Sequence, residues 1–274
     1  MPAKPIRSRA AVPALSLLTS ALVCLPARAE EHTAPPAPVE SPRRWTLGPR
    51  LGLGFSQTRD EVLSPLTYRG VQLVVGAAFQ HERGPNRHQA RLEVAPGYKV
   101  DRFRYRGIFI TQRLDYRYLR LLVGDDHSSF RFALGPGAGM ELDPALYADA
   151  STDYPYWQTI YDLRLAARFE HRLSARTGLE LDAGLSVLGT GSRPPAERFD
   201  VGEFRPRNIY TESHTDFRFL SFHNHVSLEL RPCFRHRGRG PGSQAVCYEL
   251  GVRWLKDPLP IITLDSRLDY TFFF

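Results

Sequence analysis

The sequence predicts an all-β fold, a single antiparallel up-and-down transmembrane β-barrel of about ten strands, and three observations predict it. From Arg44 onward the chain is a series of short runs in which apolar and polar residues alternate, divided by clusters of Gly, Pro, Asp and Ser, with no sustained 3.6-residue period. The final run is the clearest. Ile262, Leu264, Leu268, Tyr270, Phe272 and Phe274 fall on one face and Thr263, Asp265, Arg267, Asp269 and Thr271 on the other, with Ser266 interrupting the apolar row. Third, the polar faces are rich in glycine and mixed in charge, which suits a crowded interior better than a wetted exterior. A periplasmic sandwich or a lipocalin-like barrel would use the same strands with the faces reversed.

At the amino end, Lys4, Arg7 and Arg9 precede an apolar stretch from Ala10 to Leu25 and then Ala27-Arg28-Ala29. Basic, apolar and A-x-A regions in that order predict a signal peptide over residues 1–29, cleaved after Ala29. The apolar run is short for a spanning helix and contains Pro13 and Ser16. Cys24 follows Val23 instead of a small residue, so it is assigned to the discarded segment and not to a lipid anchor. Cleavage removes four basic residues and no acidic one, so the formal charge of +7 falls to +3, a weak basis for binding nucleic acid. Residues 30–43, rich in Pro and polar groups, are expected to form a flexible periplasmic linker, and residues 44–274 the barrel.

Ten runs follow in order. The first carries Trp45, Leu47, Leu51, Leu53 and Phe55 on its apolar face; the second Val71, Leu73, Val75, Ala77 and Phe79; the third Ala90, Leu92, Val94, Tyr98 and Val100. Pro49 and Pro96 each lack a ladder donor, which predicts a bulge or irregularity at both. In the fourth run Ile108, Ile110, Leu114, Tyr116 and Tyr118 hold even spacing, then Leu119, Leu121 and Val123 take odd positions, so a β-bulge is expected near Tyr118-Leu119. The fifth to ninth runs centre on Phe132, Leu165, Leu181, Leu228 and Leu250, and Trp157 joins the aromatic residues expected at the strand ends. Short turns fall at 84–87, 124–129, 174–177 and 236–243, while the long connections Asp143 to Pro155 and Ser192 to Asp216 mark the external end.

Two cysteines remain after cleavage, Cys233 and Cys247, both on polar faces. A hairpin centred on Gly240 places them opposite each other and Arg231 opposite Glu249, so one register predicts a disulfide and an ion pair. Closing that loop of 15 residues is expected to stabilise the fold by about 3 kcal/mol. Lumenal polar candidates are His223, His225, Ser227, Glu229, Arg231, Glu249 and Arg253. The trio His225-x-Ser227-x-Glu229 faintly resembles the H-x-S pair of lipid A deacylases, but Leu228 stands where that motif has Asn. Residues two apart on a strand are also about 6.5–7 Å apart, too far for an unaided Ser-His hydrogen bond. No carboxylate at ligand spacing joins the histidines, so no metal is expected, and no cofactor motif is present.

The stretch Tyr118-Leu119-Arg120-Leu121-Leu122-Val123, followed by Phe130 to Gly139 (FRFALGPGAG), resembles the central signature of the outer-membrane β-barrel (PorT-like) family. Tyr270-Thr271-Phe272-Phe273-Phe274 is similar to the recognition strand read by the barrel-assembly machinery. The chain departs from the family pattern at Leu122, one or two residues before which a proline often stands. The resemblance implies location in the outer membrane of a Gram-negative-type envelope, with outer-membrane lipid and, through Phe274, the assembly machinery as partners. It implies no chemistry. The expected function is a barrel with a charge-paired lumen and a structural role or a ligand at its external loops; a narrow channel, or a lumenal hydrolase acting on envelope lipid, are the alternatives. Strand counts of eight and twelve stay open beside ten.

Overall fold

The structure, a computed structural model, describes residues 44–60, 64–125, 128–148, 153–193, 211, 213–238, 242–256 and 259–274. The expected signal peptide and linker, and most of the long connection from Ser192 to Asp216, at 194–210 and 212, lie outside the described residues. The described residues form thirteen strands: β1 (Arg44–Asp60), β2 (Ser64–Arg83), β3 (Asn86–Val100), β4 (Arg106–Val123), β5 (Phe130–Leu142), β6 (Ala145–Ala148), β7 (Asp153–Tyr156), β8 (Thr159–Arg172), β9 (Thr177–Ser192), β10 (Arg218–Ser221), β11 (His225–Arg237), β12 (Ser243–Leu255) and β13 (Ile261–Phe273).

Ten of them form the wall. Each of β1, β2, β3, β4, β5, β8, β9, β11, β12 and β13 pairs antiparallel with the next, and β13 pairs with β1 from Arg50↔Thr271 to Asp60↔Ile261, so the barrel is closed. Closure leaves the sheet without an edge, which an open sheet in hydrocarbon could not tolerate. The β6–β7 hairpin, inside what the sequence presents as a loop, extends the wall by pairing with Arg106–Phe109 of β4. Strand β10 pairs with β9 ahead of β11.

The faces are those of an inverted protein. Leu53 and Leu268, paired directly across β1 and β13, are 69% and 55% exposed, while Arg50 and Asp269 on the opposite face are buried at 2% each. Exposed Leu, Val, Ile and aromatic side chains continue around every wall strand, far beyond the few hundred square ångströms of apolar patch that a protein in water usually carries.

The local irregularities differ from expectation in two places. No bulge occurs at Tyr118-Leu119; the register between β4 and β5 shifts later, between Leu121 and Val123. Leu119 therefore points inward, where it packs fully buried against Ala133 and Ala166, and Arg120 points out. Beside the Arg87 and Arg168 ion pairs with Glu170, the small side chains of Ala133 and Ala166 leave room on the inner face for one large apolar residue, which needs no correction of register. Trp157 is buried, because it lies in the connection from β7, beside the point where Asp143 and Gln158 exchange backbone hydrogen bonds. The prolines interrupt pairing without adding a residue. Ladder pairs are missing between Leu47↔Phe274 and Arg50↔Thr271 beside Pro49, and between Gln72↔Gly97 and Val75↔Val94 beside Pro96, with the register unchanged across both gaps.

Candidate functional site

The inner face is where the wall strands bring acidic and basic groups together in ion pairs, and alternation is what aims them there. Glu93 on β3 accepts from Arg267 Nη1 on β13 at 2.7 Å and from Arg50 on β1, and Arg50 Nη2 reaches Asp269 Oδ2 at 2.9 Å. Arg231 Nη2 also donates to Asp269, at 2.9 Å. At mid-height Arg91 Nη2 donates to Asp115 at 2.7 Å and to Glu229 at 2.6 Å, while Arg117 donates to the same two carboxylates at 2.8 Å each. Arg113 contacts Glu141 at 2.7 Å, Asp265 at 3.0 Å and Glu249 at 3.2 Å, and Arg253 also pairs with Glu141.

Several of these pairs cross the diameter. In the ring of ten wall strands β3 stands opposite β11, and β4 opposite β12, so Arg91–Glu229 and Arg113–Glu249 span the lumen from wall to wall. A ten-strand barrel is narrow enough for long side chains to do this. What space remains among Arg91, Arg113, Glu229, Glu249 and Arg253 is a cavity of about 40 Å³, room for a few waters at roughly 10–15 Å³ each.

Towards the end bearing the longer connections, rings fill part of the lumen. Phe109 from β4 and Tyr68 from β2 point inward and pack with Ala145, Tyr147 and Tyr156 of the β6–β7 hairpin. Tyr68 meets Tyr147 edge-on at 4.8 Å between centroids. Lys99 Nζ lies 4.1 Å from the centre of the Phe109 ring and donates to Thr58 Oγ1 at 3.1 Å. A side chain at Gly97 would strike this ring, since a Cβ there would fall 2.2 Å from Phe109 Cζ. Arg193 closes the rim by donating to Asp60 Oδ1 at 2.7 Å and to the Leu259 carbonyl at 2.8 Å.

The sequence-derived candidates fall as follows. Cys233 and Cys247 face each other in the β11–β12 ladder and are disulfide-bonded, with Cα atoms 4.0 Å apart. The same register sets Arg231 Nε 4.0 Å from Glu249 Oε2, although Asp269 is the nearer partner of that arginine. His223 is not on the lumen-facing row; it sits in the exposed turn between β10 and β11. His225 is buried, and its Nδ1 lies 3.3 Å from Ser186 Oγ on β9, not against Ser227. Ser227 lines the central cavity, and Glu229 is held by Arg91, Arg117 and Arg164. The trio is thus divided among separate partners, and among the described residues His225 and Glu229 are both engaged away from the Ser227 hydroxyl. Ser227→Ala is expected to leave the acyl pattern of lipid A in expressing cells unchanged by mass spectrometry; loss of a deacylated species would restore the hydrolase reading.

Sequence reasoning missed Glu141 as the shared partner of Arg113 and Arg253, and Ser186 as the partner of His225. It also missed the ring cluster. The short apolar run Ala145-Leu146-Tyr147-Ala148 between Pro144 and Asp149 was the available signal for the extra hairpin.

No family model and no curated protein matches the chain. Among solved structures the chain is similar to the translocator domain of the autotransporter NalP from Neisseria meningitidis, at 9% identity and TM-score 0.39, covering 83% of this chain and 87% of that one. It is also similar to the beta domain of the Bordetella autotransporter BrkA, at 12% identity and TM-score 0.32 over 82% and 98% of the two chains. A third is Ail, the attachment invasion locus protein of Yersinia pestis, crystallised with the heparin analogue sucrose octasulfate, at 10% identity and TM-score 0.26 over 84% and 99%.

Proposed function

We propose that this chain is an integral outer-membrane protein whose barrel is a sealed scaffold, not a conduit, and that its role is carried by the surface at its external end. The observation that carries this reading is the pairing of Arg91 with Glu229 and Arg113 with Glu249 across the full diameter. Opening a path would separate charges that burial makes costly to leave alone. The exposed apolar wall supports placement in lipid. The resemblance of Tyr118 to Val123 and Phe130 to Gly139 to the PorT-like family, and of the strand ending at Phe274 to the signal read by the assembly machinery, supports the outer membrane in particular.

Two measurements test it. The purified protein is expected to need detergent and to migrate differently on gels before and after boiling; a soluble protein with no shift would overturn the membrane reading. In planar bilayers the folded protein is expected to give a flat current trace. Reproducible unitary steps would replace the sealed scaffold with the narrow channel.

A further inference from the structure

Four arginines stand together at the external end of the wall. Arg69 of β2 and Arg106 of β4 both flank Val100 of β3, through the pairs Arg69↔Val100 and Val100↔Arg106, so they lie two strand spacings apart, about 10 Å. Arg102 and Arg104 follow in the turn between β3 and β4, and all four are exposed. Unlike the arginines of the lumen, none of the four forms an ion pair among the described residues, and the acidic neighbours Asp60 and Asp101 are buried.

The turn is built to hold them apart. Asp101 turns its carboxylate inward, where Oδ1 accepts the Phe103 N–H at 2.8 Å and the Tyr105 N–H at 2.9 Å. The backbone closes the same turn through Arg104 N–H to Asp101 O at 3.2 Å and Asp101 N–H to Tyr105 O at 3.1 Å. Arg104 adopts a φ of 69°, a left-handed conformation that is uncommon for a residue other than glycine. The Arg102 guanidinium lies over the exposed Phe103 ring, 4.5 Å from its centre.

Position relative to the apolar wall identifies the ligand class. One outward step from Arg69 towards mid-wall is Val71, and one from Arg106 is Ile108, which are 64% and 61% exposed. The guanidinium groups thus stand where hydrocarbon ends, and Phe103, 56% exposed, stands with them. A soluble polyanion would use the charges and leave that apolar ring uncovered. A lipid with phosphates on its headgroup uses both, and arginine pairs with phosphate through two parallel N–H bonds.

We propose that Arg69, Arg102, Arg104 and Arg106 form a binding site on the outer wall for a phosphorylated glycolipid of the external leaflet. The proposal rests on the membrane reading above. The test uses native mass spectrometry of the full-length protein in detergent, with bisphosphorylated lipid A, dephosphorylated lipid A, dioleoylphosphatidylglycerol and a heparin octasaccharide as probes. Bisphosphorylated lipid A is expected to bind at least tenfold more tightly than each of the other three. The variant Arg69→Gln/Arg102→Gln/Arg106→Gln is expected to lose at least tenfold in that affinity while keeping its heat-dependent gel shift. Should the triple variant not fold, Arg104→Asn, which retains access to the left-handed conformation, is expected to lose about threefold.

Equal binding by wild type and a folded variant would overturn the site. Preference for heparin would give the patch to a sulfated glycan, and equal binding of phosphatidylglycerol would overturn the glycolipid assignment. A wild-type protein that is soluble and shows no gel shift sinks the membrane reading together with the site. A folded, detergent-dependent barrel with phosphate-independent binding sinks the site alone.

Discussion

Glu141→Gln is expected to destabilise the barrel by about 3–5 kcal/mol, the usual cost of removing one partner of a buried ion pair. The reason lies in how unevenly the lumenal carboxylates are shared. Arg113 keeps Asp265 and Glu249 when Glu141 is neutralised, but among the described residues Glu141 is the one carboxylate that Arg253 pairs with. Arg253 is 8% exposed, so its charge would be left desolvated and unpaired. The measurement is urea unfolding in lipid vesicles followed by tryptophan fluorescence. In the double variant Glu141→Gln/Arg253→Gln both charges are gone, and at least half of the loss should return. A single variant that loses less than about 1 kcal/mol would show that lumenal water screens the pair.

Removing the disulfide is the second large effect. Cys233→Ala/Cys247→Ala is expected to cost about 3 kcal/mol, since the bridge removes loop-closure entropy from the unfolded chain across a sequence separation of 14 residues. The bridge also packs with Ala78, Ala245 and Phe273 near the short-turn end, which ties β11 and β12 to the inner face there. The same vesicle titration, run with and without reductant, checks it. Reductant should reproduce the double variant in the wild type and change nothing in the variant itself. A midpoint unmoved by either treatment would remove the bridge from the account of stability.

The two faces of the wall were legible because a strand's period of two is short enough to be seen in five or six residues, as in Leu264, Leu268, Tyr270 and Phe272. The contact between Cys233 and Cys247 was legible for a related reason: a hairpin has one centre, and its register follows from that centre alone. Pairing across the lumen has no such local rule. Which carboxylate meets Arg113 depends on how far each strand is staggered against its neighbours all the way round, and stagger accumulates over strands that are distant in sequence. Leu119 was misplaced for a different reason. Assigning every apolar residue to lipid fails where small inner-face residues leave a pocket for one, and only packing against Ala133 and Ala166 shows that pocket. The β6–β7 hairpin is short, four residues to a strand, and a run of that length does not separate itself from a loop.

The ladder between β1 and β13 sets an order of events for folding. Most other neighbouring wall strands are joined by short connections, so most pairs can form soon after their residues emerge. The pair Arg50↔Thr271 brings together residues separated by nearly the whole described chain. Contacts of such long sequence separation form slowly, because the closure entropy comes due before any contact rewards it. Until then β1 and β13 each present a bare row of backbone donors and acceptors to whatever strand is nearest, including another copy. The interval between synthesis and closure is therefore the vulnerable period in the life of this protein.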